Sequence, residues 1–166
     1  GHAPGHLCLW EPERRFLVAG DMVAGVGTIV IDPPEGDMEL YLASLRRLRD
    51  LDPRLVLPAH GAPFGPGSRI LERYLQHRQD REDLVLEALA EGPAREEDLV
   101  GQVYAEIPAG LRPLAARSLL AHLLMLEGQG RVRRAGGGWA AAPGAGEAGS
   151  AGPGAWTAPG SGAGPR

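Results

Sequence analysis

Apolar positions along this chain change period several times, and each change marks an element. Leu7-Cys8-Leu9-Trp10 and Phe16-Leu17-Val18-Ala19 are short apolar runs on either side of the polar stretch Glu11-Pro12-Glu13-Arg14-Arg15, so a β-hairpin is predicted over 7–19. Residues 22–36 hold Gly25, Gly27, Gly36 and the Pro33-Pro34 pair around the β-branched run Thr28-Ile29-Val30-Ile31, which predicts a loop with one short strand inside it. Asp37 then precedes Met38, Leu42, Leu45, Leu48 and Leu51, recurring at three- and four-residue steps: a capped helix whose apolar stripe packs on a sheet. Asp52-Pro53 ends it and Leu55-Val56-Leu57 returns as a strand. Strand, helix, strand in that order favours a parallel pair with the helix on one face.

The helical period resumes after a loop over 61–67 that contains Pro63 and Pro66, with Ser68 as the expected N-cap. Ile70, Leu71, Tyr74, Leu75, Leu84, Val85 and Leu89 support one helix or two abutting ones as far as Gly92-Pro93, bridging two domains with a boundary near 78–82. Two more helices are predicted, over 95–106 with Leu99, Val100 and Val103 inward, and over 111–127 with Leu114, Leu119, Leu120, Leu123, Leu124 and Leu126 inward. Arg131-Val132-Arg133-Arg134 and the run ending in Trp139 flank glycines as two short strands, so the order is that of a winged helix. The division expected is 1–79, 80–142, and a Gly/Ala/Pro-rich tail over 143–166, which cannot bury enough surface to fold and in which Trp156 has no assigned role.

Composition adds limits rather than a function. The chain has 166 residues, 43% hydrophobic content and a net charge of −4, within the ordinary range for a globular protein and not that of a non-specific polyanion binder. Its 17 basic side chains are all Arg. Cys8 is the single cysteine, expected as a buried thiol in a strand, so no disulfide framework exists within the chain. No apolar run approaches the ~20 residues that span a bilayer. A cytoplasmic location is the default expectation, with no membrane partner.

Three side chains stand out because they sit at chain bends and carry donors suited to a divalent ion. His2 lies beside Pro4-Gly5, Asp21 follows the run ending at Gly20, and His60 follows Leu55-Val56-Leu57 and Pro58-Ala59. Groups at strand ends can converge above one edge of a sheet. Imidazole nitrogen and carboxylate oxygen are donors for zinc and similar ions, and a carboxylate can bridge two of them.

Gly1-His2-Ala3-Pro4-Gly5-His6, Gly20-Asp21 and Ala59-His60-Gly61 resemble, in order and wording, motifs of the metallo-β-lactamase-fold hydrolases: G-H-T-x-G-H, a strand ending in G-D, and a strand ending in G-H-G, with Ala3 and Ala59 as departures. Gly27-Thr28, Asp32-Pro33-Pro34-Glu35-Gly36-Asp37-Met38, Tyr74-Leu75-Gln76-His77-Arg78 and the phrase from Ala121 to Val132 resemble the subgroup with a C-terminal winged helix, the β-lactamase-like protein 2 type, which includes an animal mitochondrial endoribonuclease. The resemblance implies an α/β fold, the C-terminal half of an αββα sandwich followed by a small winged-helix domain. It implies two divalent metal ions, zinc first among the candidates, with His2 ligating one, Asp21 bridging both as the catalytic carboxylate, and His60 ligating the other. His6 matches a position that is not a ligand in the family and reads as a hydrogen-bonded structural histidine. Paired ions lower the pKa of a bound water, and the hydroxide attacks the carbonyl or phosphorus of an ester, thioester or phosphodiester. The family's main metal motif, H-x-H-x-D-H, has no counterpart here, so the chain is expected to be a fragment that binds metal weakly and is inactive alone.

A non-catalytic winged-helix module, binding nucleic acid or dimerising, is the competing reading. Over 80–142, ten acidic residues stand against seven Arg, whereas nucleic-acid modules present a basic footprint. Arg131, Arg133 and Arg134 on the wing can reach a phosphate backbone, but helix three offers a groove little beyond Arg112 and Arg117. Sequence-specific DNA is therefore not an expected partner; a small ester or thioester, RNA as substrate, or a second copy of the chain is. His77 and Arg78 are expected on a solvated helix face or in an interdomain ion pair rather than against a phosphate-bearing substrate.

Overall fold

The computed structural model describes residues 1–25 and 27–143, so the predicted tail lies outside the described residues apart from Pro143. By packing, the described residues form two compact units: Gly1–Ile29 with Glu35–His77, and Val30–Pro34 with residues 78–143.

The first unit is built on a three-stranded sheet in the order β1-β2-β3, with β1 at Leu9–Glu11, β2 at Phe16–Gly20 and β3 at Leu55–Pro58. β1 and β2 form the expected hairpin, with Leu9 opposite Val18, and β2 and β3 run parallel, with Leu17 opposite Val56. Leu17, Ala19 and Val56 are wholly buried on one face, as alternation along a half-covered strand requires. On the other face the cross-strand neighbours Leu9 and Val18 remain 65% and 43% exposed. Between β2 and β3 runs α1, Met38–Asp50, whose first turn is capped by the Asp37 carboxylate accepting from the Leu40 N–H at 2.8 Å. Met38, Tyr41, Leu42, Leu45 and Leu48 are its buried stripe, and Leu51, beyond the helix end, is 36% exposed.

Four expectations are corrected in and around this unit. No strand forms over 28–31: Ile29 and Ile31 are buried in irregular chain, and Val30–Pro34 packs with the second unit. Cys8 lies just ahead of β1, half-buried, its thiol donating to the Ala19 carbonyl at 3.6 Å. Ser68 is not an N-cap, because α2 begins at Gly67 and continues without interruption to Ala90. The Gly67 N–H donates to the Pro53 carbonyl at 2.9 Å, and a β-carbon there would stand 2.6 Å from Val56, so close backbone approach sets where this helix starts. His77 and Arg78 are 4% and 1% exposed, not on a solvated face.

The second unit contains the later turns of α2, α3 at Glu96–Val103, a short 3-10 turn at Ala109–Leu111, α4 at Arg112–Gly128, β4 at Val132–Ala135 and β5 at Gly138–Ala141. Val85, Leu89, Leu99, Val103, Leu119, Leu123, Leu126, Val132 and Trp139 close one apolar core. Leu114 and Leu124, expected inward, are 51% and 38% exposed. The inner stripe of α4 runs through Ala115, Leu119, Leu123 and Leu126, and each of the two outer leucines is one residue, about 100°, away from it. Gly136 and Gly137 both take positive φ, 57° and 80°, in the hairpin turn joining β4 and β5. Ala94 adds a third backbone partner by exchanging two 2.9 Å hydrogen bonds with Trp139. Gly138 allows it, since a β-carbon there would meet the Ala94 oxygen at 2.4 Å.

Candidate functional site

Because β2 and β3 run parallel, both deliver their C-terminal ends to the same sheet edge. Asp21 follows β2 directly and His60 lies two residues past β3, and the two side chains meet there, His60 Nε2 standing 3.5 Å from Asp21 Oδ1. The His60 side chain is 79% exposed and that of Asp21 33%, so both donors face accessible space. His2, in the turn that precedes β1, places its ring edge-on to that of His6 at 5.8 Å between centroids. His6 closes the chain of contacts, its Nε2 accepting the Asp21 backbone N–H at 2.9 Å. Of the three predicted ligands, Asp21 and His60 are brought together directly, whereas His2 is linked to them through the ring of His6.

Backbone ties fix the loops that carry these groups. The Ala59 N–H donates to the Gly20 carbonyl and the Gly25 N–H to the His60 carbonyl, each at 2.9 Å. Gly61 has φ of +94°, and a β-carbon on it would lie 2.8 Å from the Gly25 α-carbon, so these two chain segments touch only because both residues are glycine. Two buried tyrosines hold the segment after Asp21: the Tyr41 hydroxyl donates to the Met22 carbonyl at 2.7 Å, and the Tyr74 hydroxyl accepts the Ala24 N–H at 3.0 Å. The Asp37 N–H, beside the α1 cap, donates to the Gly1 carbonyl at 2.8 Å and so anchors the residue before His2.

An imidazole nitrogen that accepts a hydrogen bond carries no proton, so His6 is neutral here with its hydrogen on Nδ1. Burial lowers its pKa below the usual histidine range, and His2 and the N-terminal ammonium lower it further against the opposing pull of Asp21.

Asp21 and His60 supply the oxygen and nitrogen donors that zinc takes, but among the described residues no group of three or more His, Cys, Asp or Glu is arranged to hold an ion. The residues present fit part of a coordination shell, and completing it requires further donors. Sequence reasoning found the ligand candidates and missed their supports. The supports were Gly20, the Gly25–Gly61 approach and the two tyrosine hydroxyls, for which the signals were glycines bracketing the motifs and tyrosines standing within otherwise aliphatic stripes.

Comparison with known proteins places this geometry. Residues 1–60 match the family described as Metallo-beta-lactamase superfamily, and residues 96–139 match the Beta-lactamase associated winged helix domain. The Beta-lactamase-like protein 2 homolog of Drosophila melanogaster is 33% identical over 136 residues, covering 80% of this chain and 45% of its own length. The Atrochrysone carboxyl ACP thioesterase of Aspergillus fumigatus is 30% identical over 121 residues, covering 66% of this chain and 37% of its own. The crystal structure of a Beta-lactamase domain protein from Burkholderia ambifaria superposes with a TM-score of 0.75 at 30% identity, over 86% of this chain and 46% of that one. The chain thus spans less than half the length of each of these relatives. With its sheet, its helices and its winged helix all accounted for in this way, the chain belongs to the metallo-β-lactamase superfamily, in the group that carries the associated winged helix.

Proposed function

We propose that the protein of which these residues form the site edge is a metal-dependent hydrolase of ester, thioester or phosphodiester bonds, RNA among them, with His2, Asp21 and His60 as ligands of two divalent ions. The observation that carries this reading is the 3.5 Å approach of His60 Nε2 to Asp21 Oδ1 at the shared end of two parallel strands. Bound there, two divalent ions would supply Lewis acidity and a low-pKa water. The chain's own contribution is placement: Asp21 offers a carboxylate that can face two cations at once, and His60, 3.5 Å away, and His2 offer imidazole nitrogen donors. The glycine and tyrosine contacts keep the three from drifting with their loops. A thioester substrate draws further support from the relative named as an acyl-carrier thioesterase.

The test uses a longer protein that adds the H-x-H-x-D-H motif ahead of this chain, assayed with an acyl thioester and with single-stranded RNA. Turnover of either that chelation abolishes, and that Asp21→Ala or His60→Ala cuts by orders of magnitude, is expected. Turnover untouched by chelator and by both substitutions would end the reading, as would its absence on every ester, thioester and RNA tried.

A second reading assigns dimerisation to the winged helix. Leu111 and Leu114, each 51% exposed near the start of α4, favour it. Arg131 pairs with Glu82, and Arg134 stacks on Trp139 at 3.7 Å with Glu127 3.6 Å away, so two wing cations already have internal partners, which argues against a nucleic-acid role. Sedimentation of the chain and of Leu111→Ser/Leu114→Ser decides it: a dimer dispersed by the pair of substitutions supports the reading, and a monomer throughout removes it.

A further inference from the structure

His6 is not itself among the proposed ligands, yet its side chain bonds directly to the backbone of Asp21. Its Nε2 takes the backbone N–H of Asp21 at 2.9 Å across fifteen residues of chain, while most other ties at this edge join backbone to backbone. The residue between them in space is Gly20. With φ of +54° it turns β2 sharply at its last position, and a β-carbon there would lie 2.5 Å from His6 Nε2 and 3.0 Å from its Cε1. The imidazole occupies the volume that a side chain at 20 would need. The pairing of β2 with β3 also shifts register between Val18 and Gly20, so the ladder alone does not set the direction in which the chain leaves the strand.

We infer that His6 is the positioning residue for Asp21, its imidazole standing in the side-chain space left open by Gly20 and holding the Asp21 amide so that the carboxylate faces His60. This deepens the proposed function and rests on it for its consequence at a metal, but the positioning itself is a property of the chain alone. The acceptor is what matters: glutamine carries an amide oxygen at a reach similar to that of Nε2, and leucine fills comparable volume with no acceptor.

The experiment is nuclear magnetic resonance on the ¹⁵N-labelled 166-residue chain and its His6→Gln and His6→Leu variants, with far-ultraviolet circular dichroism to establish that each is folded. A scalar coupling across the hydrogen bond from the Asp21 amide to His6 Nε2 is expected in the parent. In His6→Leu the Asp21 amide and His60 ring signals are expected to move and broaden, and in His6→Gln to return most of the way. Zn²⁺ titration followed on the same signals is expected to show apparent affinity about 10–100-fold weaker in His6→Leu than in the parent, the scale of losing a partner that orients a ligand. Absence of the coupling overturns the inference. So does a folded His6→Leu chain whose Asp21 and His60 signals match the parent, or a folded His6→Gln chain that fails to restore them. If Zn²⁺ moves no signal in any chain, the predicted effect of His6 on metal affinity is overturned, while the coupling and the glutamine rescue decide whether His6 positions Asp21. Should His6→Leu not fold, the coupling and His6→Gln carry the decision.

Discussion

The two units of this chain hold their shape by different means. Around Asp21 and His60 the loops are fixed by contacts with no spare volume: Gly61 against Gly25, Gly20 against His6, and single tyrosine hydroxyls on backbone atoms. The second unit closes instead around interdigitated leucines, valines and one tryptophan, with Arg81 bonded to the Val103 carbonyl and to Glu106, and Arg131 to Glu82. One region depends on what is missing from its side chains and the other on what fills them. A methyl group too many is expected to damage the first, and a ring too few the second.

Substitutions that exchange these sensitivities test the contrast. The largest effect is expected from Trp139→Ala, which empties the centre of the second unit at a residue 1% exposed; about 3–5 kcal/mol should be lost, read as a lower denaturant midpoint. Next comes Gly61→Ala, adding one carbon where φ is +94° and the Gly25 α-carbon is 2.8 Å away. A cost of roughly 1–3 kcal/mol is expected, with the His60 and Gly25 amide signals displaced, whereas a silent Gly61→Ala would mean that the loops are not in contact. Tyr74→Phe keeps the ring and removes the acceptor of the Ala24 N–H, so about 1–3 kcal/mol is expected, with faster hydrogen exchange at Ala24 as the local readout.

The smallest effect concerns pH in the second unit. Burial alone would raise the Glu106 pKa, but the hydrogen bond and charge of Arg81 more than offset this and hold it below the usual carboxylate value. A carboxylate depressed in the folded state contributes stability that is present above its unfolded pKa, near 4.5, and is lost as pH falls through the folded value. Chemical denaturation between pH 7 and 3 should therefore show a shallower acid loss in Glu106→Gln than in the parent. Equal slopes would mean the pair is too solvent-screened to matter.

Much of this was legible in the sequence because it rests on periodicity. Steps of three and four residues marked α1 and the core positions Leu99, Leu119 and Leu126, and two apolar runs separated by a helix marked the parallel pair that brings Asp21 to His60. What stayed hidden depends on distances between segments that no local pattern encodes. Thr28-Ile29-Val30-Ile31 has strand composition, but a strand exists only where another edge is free to pair with it. Tyr41 and Tyr74 look like ordinary core positions until their hydroxyls meet the Met22 carbonyl and the Ala24 amide. His77 and Arg78 carry charge-competent groups in helical sequence, which suits a solvated face as well as an interdomain ion pair, and their burial removes the first of these. Leu114 and Leu124 show the reverse error, apolar residues one step off the stripe that packs.

We propose that the contact of Asp21 with His60 is part of a metal site that these residues only partly build. Elemental analysis, on a longer protein that adds an H-x-H-x-D-H motif ahead of this chain and on the 166-residue chain beside it, tests it most directly. The account predicts about two zinc ions per longer chain, almost none in the shorter, and loss of metal from the longer protein on Asp21→Ala. No metal in either, or metal in the longer protein that Asp21→Ala leaves in place, would contradict it.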